Sequence, residues 1–206
     1  MEKQQEEILL KVRSSRSMIA AGFHLYVNKF IAMLKAQWVH LLDTTAVYAA
    51  VIMLTVYGLY FFVPLAAVAV LLEMVLWLMT ARWLTQRPVR QLLQAACRHW
   101  FRLVLVVVAG IVLLLPFCLL AALPAIVLAL AEWNSQDGIL MGDAPSMPSY
   151  VLYLSAVTWG FAAFIGLCLR LLIVYIAYFS WGSAEARQRE RAQQLSTLSS
   201  SIPYKA

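Results

Sequence analysis

The chain has 206 residues, 63% of them hydrophobic and 13% charged, with a formal net charge of +6 and a mean hydropathy of +0.78. These values exclude an ordinary water-soluble domain and leave no length for a second, soluble one. The fold class expected is all-α: a polytopic transmembrane helical bundle of about four spans with two interfacial amphipathic helices, all in one membrane domain.

Residues 1–16 are mostly polar and charged, which does not fit a cleavable signal peptide with its short apolar core. Residues 17–42 predict an amphipathic helix lying at the interface. Phe23, Val27, Phe30, Ile31, Leu34, Trp38 and Leu41 recur at helical spacing, with His24, Asn28 and Lys35 elsewhere on the wheel.

From Thr44 to Ala81 only Glu73 is charged. At ~1.5 Å per residue that stretch would be about 57 Å of helix against a hydrocarbon core of about 30 Å. A helical hairpin over 44–82 is therefore predicted, with spans near 44–62 and 65–82 and a tight apolar turn at Pro64.

Residues 86–102 predict a second amphipathic helix, started by Pro88 and basic on one face. Arg90, Gln94, Arg98 and Arg102 follow at four-residue spacing, and with Arg87 the arginines are candidates for contact with anionic lipid headgroups. Residues 103–131 form the third apolar run and contain Pro116 and Pro124, so a single kinked span and a cramped hairpin are both open. An outer loop is expected over 132–149, a fourth span over 150–181 with the same span-or-hairpin ambiguity, and a polar tail over 182–206, in which EARQRERAQQ extends the helix before a disordered Ser-rich end.

Lys and Arg set the orientation. They cluster before the first span, between the second and third, and after the fourth, whereas the 132–149 loop has Glu132, Asp137 and Asp143 and no Lys or Arg. Both termini are thus expected in the cytoplasm; a six-span alternative would put the acid-only loop on the cytoplasmic side.

FIAMLKAQWVHLL (30–42) aligns without a gap on LLQAACRHWFRLV (92–104), matching Trp38 to Trp100, as a diverged duplication would. These Trp-centred stretches, each followed by an apolar span, resemble the bacterial multipass family found as the membrane domain attached to glycerophosphoryl diester phosphodiesterases. The resemblance implies a membrane module and carries no activity to any residue. That family usually has more spans, and no phosphodiesterase catalytic domain is visible here.

The sharpest chemistry is a pair of opposite charges. Glu73 lies nine residues before Arg82 and Arg170 eleven before Trp181, which puts them about 13 and 16 Å from the same boundary at the helical rise. Charges at that depth are costly and should find partners. The simplest expectation is an ion pair holding the second span against the fourth. Two alternatives remain: Arg170 snorkelling to the inner headgroups while Glu73 is protonated or bonds a Tyr, Thr or Ser hydroxyl, and proton or ion passage through Glu73.

On the last run, Ala156 with Gly160 and Ala162 with Gly166 are small residues four apart, candidates for close helix packing within the bundle, the default, or against another chain. No catalytic, cofactor or metal constellation is expected. Cys97, Cys118 and Cys168 are scattered, and His24, His40, His99 and Asp43 lack ligand spacing. Nucleic acid is not an expected partner, since no basic patch stands free of the membrane. Membrane lipids are, with a protein partner or a second copy. Two functions follow: a non-catalytic scaffold or accessory subunit, or a small transporter or permeation element using Glu73 and Arg170.

Overall fold

The structure is a computed structural model that describes residues 13–56, 62–86, 88–98, 100–140 and 150–201. It contains α1 (Ser15–Val56), α2 (Phe62–Thr85), α3 (Val89–Arg98), α4 (Trp100–Leu140) and α5 (Tyr150–Ser201), with no strand among the described residues. All but α3 are long and apolar enough to cross a membrane. The protein is an all-α integral membrane bundle with four candidate spans.

The expected amphipathic helix 17–42 and first span 44–62 are a single helix, α1, described to Val56. No proline or glycine interrupts the chain between Gly22 and Val56, so the backbone ladder has no reason to break at Asp43. The inward face also keeps its phase across that point: Met33, Gln37, Leu41 and Thr44 are all buried, at spacings of four, four and three. The N-terminal half therefore stands alongside the bundle instead of folding flat beneath it. Ser14 caps the helix, its Oγ accepting from the Ser17 N–H at 3.4 Å and its carbonyl from the Met18 N–H at 3.0 Å.

Other boundaries shift as well. Pro64 lies in the first turn of α2, where its missing N–H has no helical partner to lose; residues 57–61, where the turn was expected, are outside the described residues. α2 ends at Thr85 with Gln86 in the left-handed region at φ 55°, its N–H donating to the Arg82 carbonyl at 2.8 Å. A residue with a Cβ is strained there, so Gln86→Gly is expected to gain roughly 0.5 kcal/mol after glycine's extra chain entropy is subtracted. A later midpoint in a thermal melt followed by circular dichroism would show it.

The expected helix 86–102 is divided between α3 and the start of α4, to which Arg102 belongs. The third run is one helix with Pro116 and Pro124 inside it, which settles the kinked-span or hairpin ambiguity in favour of a single helix. α4 also takes up part of the expected 132–149 loop, reaching Leu140. In the same way α5 carries on into the expected tail as far as Ser201, and residues 202–206 are outside the described residues.

α5 is the centre of the bundle. α1 and α4 pack along it on separate sides, α2 packs on α1 and more lightly on α5, and α3 bridges α2 to α4. α1 and α5 are antiparallel along their length: the Arg13 N–H donates to Ser183 Oγ at 3.2 Å near one end, and Ser155 Oγ approaches Met53 Sδ at 3.8 Å near the other. The core they enclose contains Met33, Leu41, Leu76, Leu167, Leu171 and Tyr175.

Lipid tails are as apolar as leucine, so packing and interhelical hydrogen bonds hold such helices together. Two glycines let them approach: Gly22 of α1 meets Ile176 and Gly110 of α4 meets Ile173. The Tyr26 hydroxyl adds a bond across the α1–α5 seam, donating to the Cys168 carbonyl at 2.7 Å.

Candidate functional site: an intramembrane charge cluster

Glu73 is fixed by its place on α2. It shares a helical face with Leu76 and Thr80, both fully buried, and is itself 8% exposed. Arg170 enters from α5 in the turn that also presents the buried Leu167 and Leu171. The two side chains meet, with Arg170 Nη1 donating to Glu73 Oε2 at 2.8 Å.

Arg170 does not reach for the basic end of the bundle. Its Nε donates to the Gly166 carbonyl at 3.3 Å, one turn earlier in α5, so the side chain extends toward the opposite end. That direction is the reverse of what snorkelling from Arg170 to the Arg82 and Trp181 level requires.

Tyr48 of α1 completes the cluster. Its hydroxyl donates to the same Glu73 Oε2, and the Arg170 guanidinium carbon sits 4.9 Å from the Tyr48 ring centroid. One carboxylate oxygen thus accepts from a cation and a phenol while the cation is also held over the phenol's π face. Three helices, α1, α2 and α5, contribute one residue each.

A second polar layer lies toward the basic end. Thr80 Oγ1 of α2 is 2.8 Å from both Gln37 Oε1 of α1 and the Leu76 carbonyl. Its single proton serves one of these at a time. Thr44 and Thr45 instead satisfy their hydroxyls on the carbonyls of His40 and Leu41, at 2.7 Å each, as threonines in membrane helices commonly do. Beyond this layer an open cavity of about 520 Å³ is lined by Lys29, Gln37, His40 and Arg82 among others.

Tyr48 and the Gln37–Thr80 contact were not picked out in the sequence. A signal existed: Gln37 and Thr44 are seven residues apart, as are Glu73 and Thr80, and seven is close to two helical turns. Polar residues repeating on one face of each arm of a hairpin imply facing polar layers.

The other candidate residues are dispersed. Ala162 and Gly166 are buried against the bundle, and a Cβ on Gly166 would meet Cys118 Sγ at 3.9 Å. Ala156 is exposed and a Cβ on Gly160 would meet nothing within 4 Å, so the pair expected to pack internally faces outward. The phase of α5 explains this, because the buried Ser155 turns its neighbours away from α1.

On α3, Arg90 and Arg98 are exposed while Val89 and Leu92 turn partly inward; Arg102 is half-buried at the start of α4, and Arg87 is outside the described residues. His24, His40 and Asp43 are exposed on α1, the two histidines about 24 Å apart at the helical rise, and do not converge. His99 is outside the described residues. No group of metal-ligating side chains occurs among the described residues.

No protein-family model matches the chain, and neither does any curated protein or solved structure. The resemblance carried by Trp38 and Trp100 therefore stands on those residues alone.

Proposed function

We propose that this protein is a non-catalytic integral membrane scaffold or accessory subunit that acts by contacting lipid and protein partners. It sits in a bacterial cytoplasmic membrane with both termini on the cytoplasmic side. One observation carries the reading. The two mid-span charges satisfy each other and are tied in by Tyr48, so their chemistry is spent on holding α1, α2 and α5 together.

Outward surface supplies the contacts. α4 presents exposed apolar side chains around most of its circumference, among them Val112, Phe117, Leu120 and Leu123. α1 has an exposed apolar row of Ile19, Phe23, Val27 and Ile31 on the side away from α5. Orientation follows from charge: Lys29, Lys35, Arg82, Arg98, Arg102 and Arg187 gather at one end and Glu132 lies toward the other.

A second reading, a small permeation element, is favoured by the polar layer of Gln37 and Thr80 between the charge cluster and the open cavity at the basic end. Reconstitution in liposomes separates the two. The expected result is a proton flux equal to that of protein-free liposomes across the neutral pH range; a pH-dependent flux abolished by Glu73→Gln would replace the scaffold with the permeation reading. In parallel, a photo-crosslinking residue at Val27 or Leu120 is expected to yield one reproducible protein adduct in native membranes.

A further inference from the structure

A cleft of about 170 Å³ opens between α2 and α4, with α5 as its floor and α3 across one end. It exists because α2 and α4 have no packed seam between them: each is committed to a different side of the bundle. Small side chains, Ala81, Ala96 and Ala177, line it where bulk would close it, and Leu92, Val106 and Ile173 complete an almost wholly apolar wall.

Thr85, Tyr178 and Ser180 also border the cleft, and Arg102 is the one charged residue of the lining. It lines the cleft, is half-buried, and makes no hydrogen bond or ion pair among the described residues. It is also the third residue of α4, counting from Trp100. The positive end of the helix dipole lies there and is unfavourable to a cation, so an anion beside Arg102 would relieve both.

We infer that the cleft holds the first few methylenes of one acyl chain of an acidic phospholipid whose phosphate is taken by Arg102. Size and chemistry choose this occupant. The volume resembles the ~150 Å³ apolar cavity that accepts benzene, enough for a few methylenes, and far less than a helix of about 10 Å diameter needs. A single cation at the rim of a hydrocarbon-lined slot matches a molecule with one phosphate and an apolar tail. The inference rests on the scaffold reading for its partner class. The two fail separately, because a flux in liposomes would end the scaffold reading without displacing the lipid.

The test is native mass spectrometry of the delipidated full-length protein, titrated with phosphatidylglycerol and with phosphatidylcholine of the same chains. One tight site preferring phosphatidylglycerol about ten-fold is expected, because both lipids carry a phosphate but the choline cation of phosphatidylcholine offsets its charge beside Arg102. Arg102→Gln should abolish the preference, and Arg191→Gln, an exposed charge elsewhere on α5, should leave it intact. Ala177→Phe should abolish retention of both lipids by filling the floor. Ala81→Leu repeats that test from the opposite wall, so that a folding defect in one variant is not read as lost binding. Equal binding of the two lipids by the unaltered protein would overturn the inference. So would equal weakening by Arg102→Gln and Arg191→Gln, or unchanged retention in both cleft-filling variants.

Discussion

Glu73→Gln is expected to destabilise the detergent-solubilised protein by about 3 kcal/mol, Arg170→Leu by less, and the double replacement by less than Glu73→Gln alone. The Arg170 side chain is 26% exposed and that of Glu73 11%, so removing either leaves the other poorly solvated. A guanidinium keeps its charge under all ordinary conditions, whereas a carboxylate can shed its own by taking up a proton. That makes the arginine the worse orphan and gives the order of the single variants.

The double variant leaves no charge in the cluster, and the amide introduced in place of the Glu73 carboxylate can still accept from Tyr48, so part of the loss should return. Tyr48→Phe should cost about 1 kcal/mol, one hydrogen bond, because the ring beneath Arg170 remains. Unfolding by titration with a denaturing detergent, followed by circular dichroism, provides all four numbers. A double variant no more stable than the worse single would mean that the contact between α2 and α5 contributes no coupling.

Gly22→Ala is the second large effect expected, a loss of about 1–3 kcal/mol from overpacking. A Cβ at that position would stand 2.9 Å from Ile176 Cγ1, 3.1 Å from its Cα and 3.2 Å from its N. Two of those three atoms are backbone, so α1 and α5 would have to separate. At Gly110 the nearest atoms, at 2.8 and 3.1 Å, are Cγ1 and Cδ1 of Ile173, side-chain atoms with no backbone atom among them. Gly110→Ala should therefore cost less.

Gly160→Ala meets open space and should gain up to about 1 kcal/mol from helix propensity. The ranking Gly22, Gly110, Gly160 can be measured in the same unfolding assay. An equal loss at Gly22 and Gly160 would remove the close approach of α1 and α5 as its cause.

Some of this was legible along the chain. Apolar runs separated by arginine clusters and one acid-only segment reveal spans without any knowledge of how they pack, because the cost of carrying charge into hydrocarbon is a property of each segment alone. Glu73 and Arg170 stood out for the same reason, and similar depth from one boundary is simple counting along a helix.

Tyr48 did not stand out. A tyrosine is an ordinary member of an apolar run until a carboxylate is known to face it, and that requires the rotation of α1 about its own axis. Glycines behaved likewise: Gly160 has the small-residue spacing and touches nothing, while Gly22 and Gly110 lack it and make the close contacts. Close approach depends on where two helix axes cross, which spacing on one helix does not contain.

By itself, then, the sequence determined the all-α membrane class, the four spans and the two residues that must not be left unpaired, since each follows from transfer of local segments between water and hydrocarbon. Only the tertiary structure decided that α1 is one continuous helix, that α5 is the centre on which the others pack, that Tyr48 joins Glu73 and Arg170, and that α2 and α4 leave a cleft beside Arg102. Those outcomes depend on the relative rotation and crossing of helices whose outer faces are nearly all apolar. With lipid as good a neighbour as leucine, such faces give no pattern from which the packing could be read.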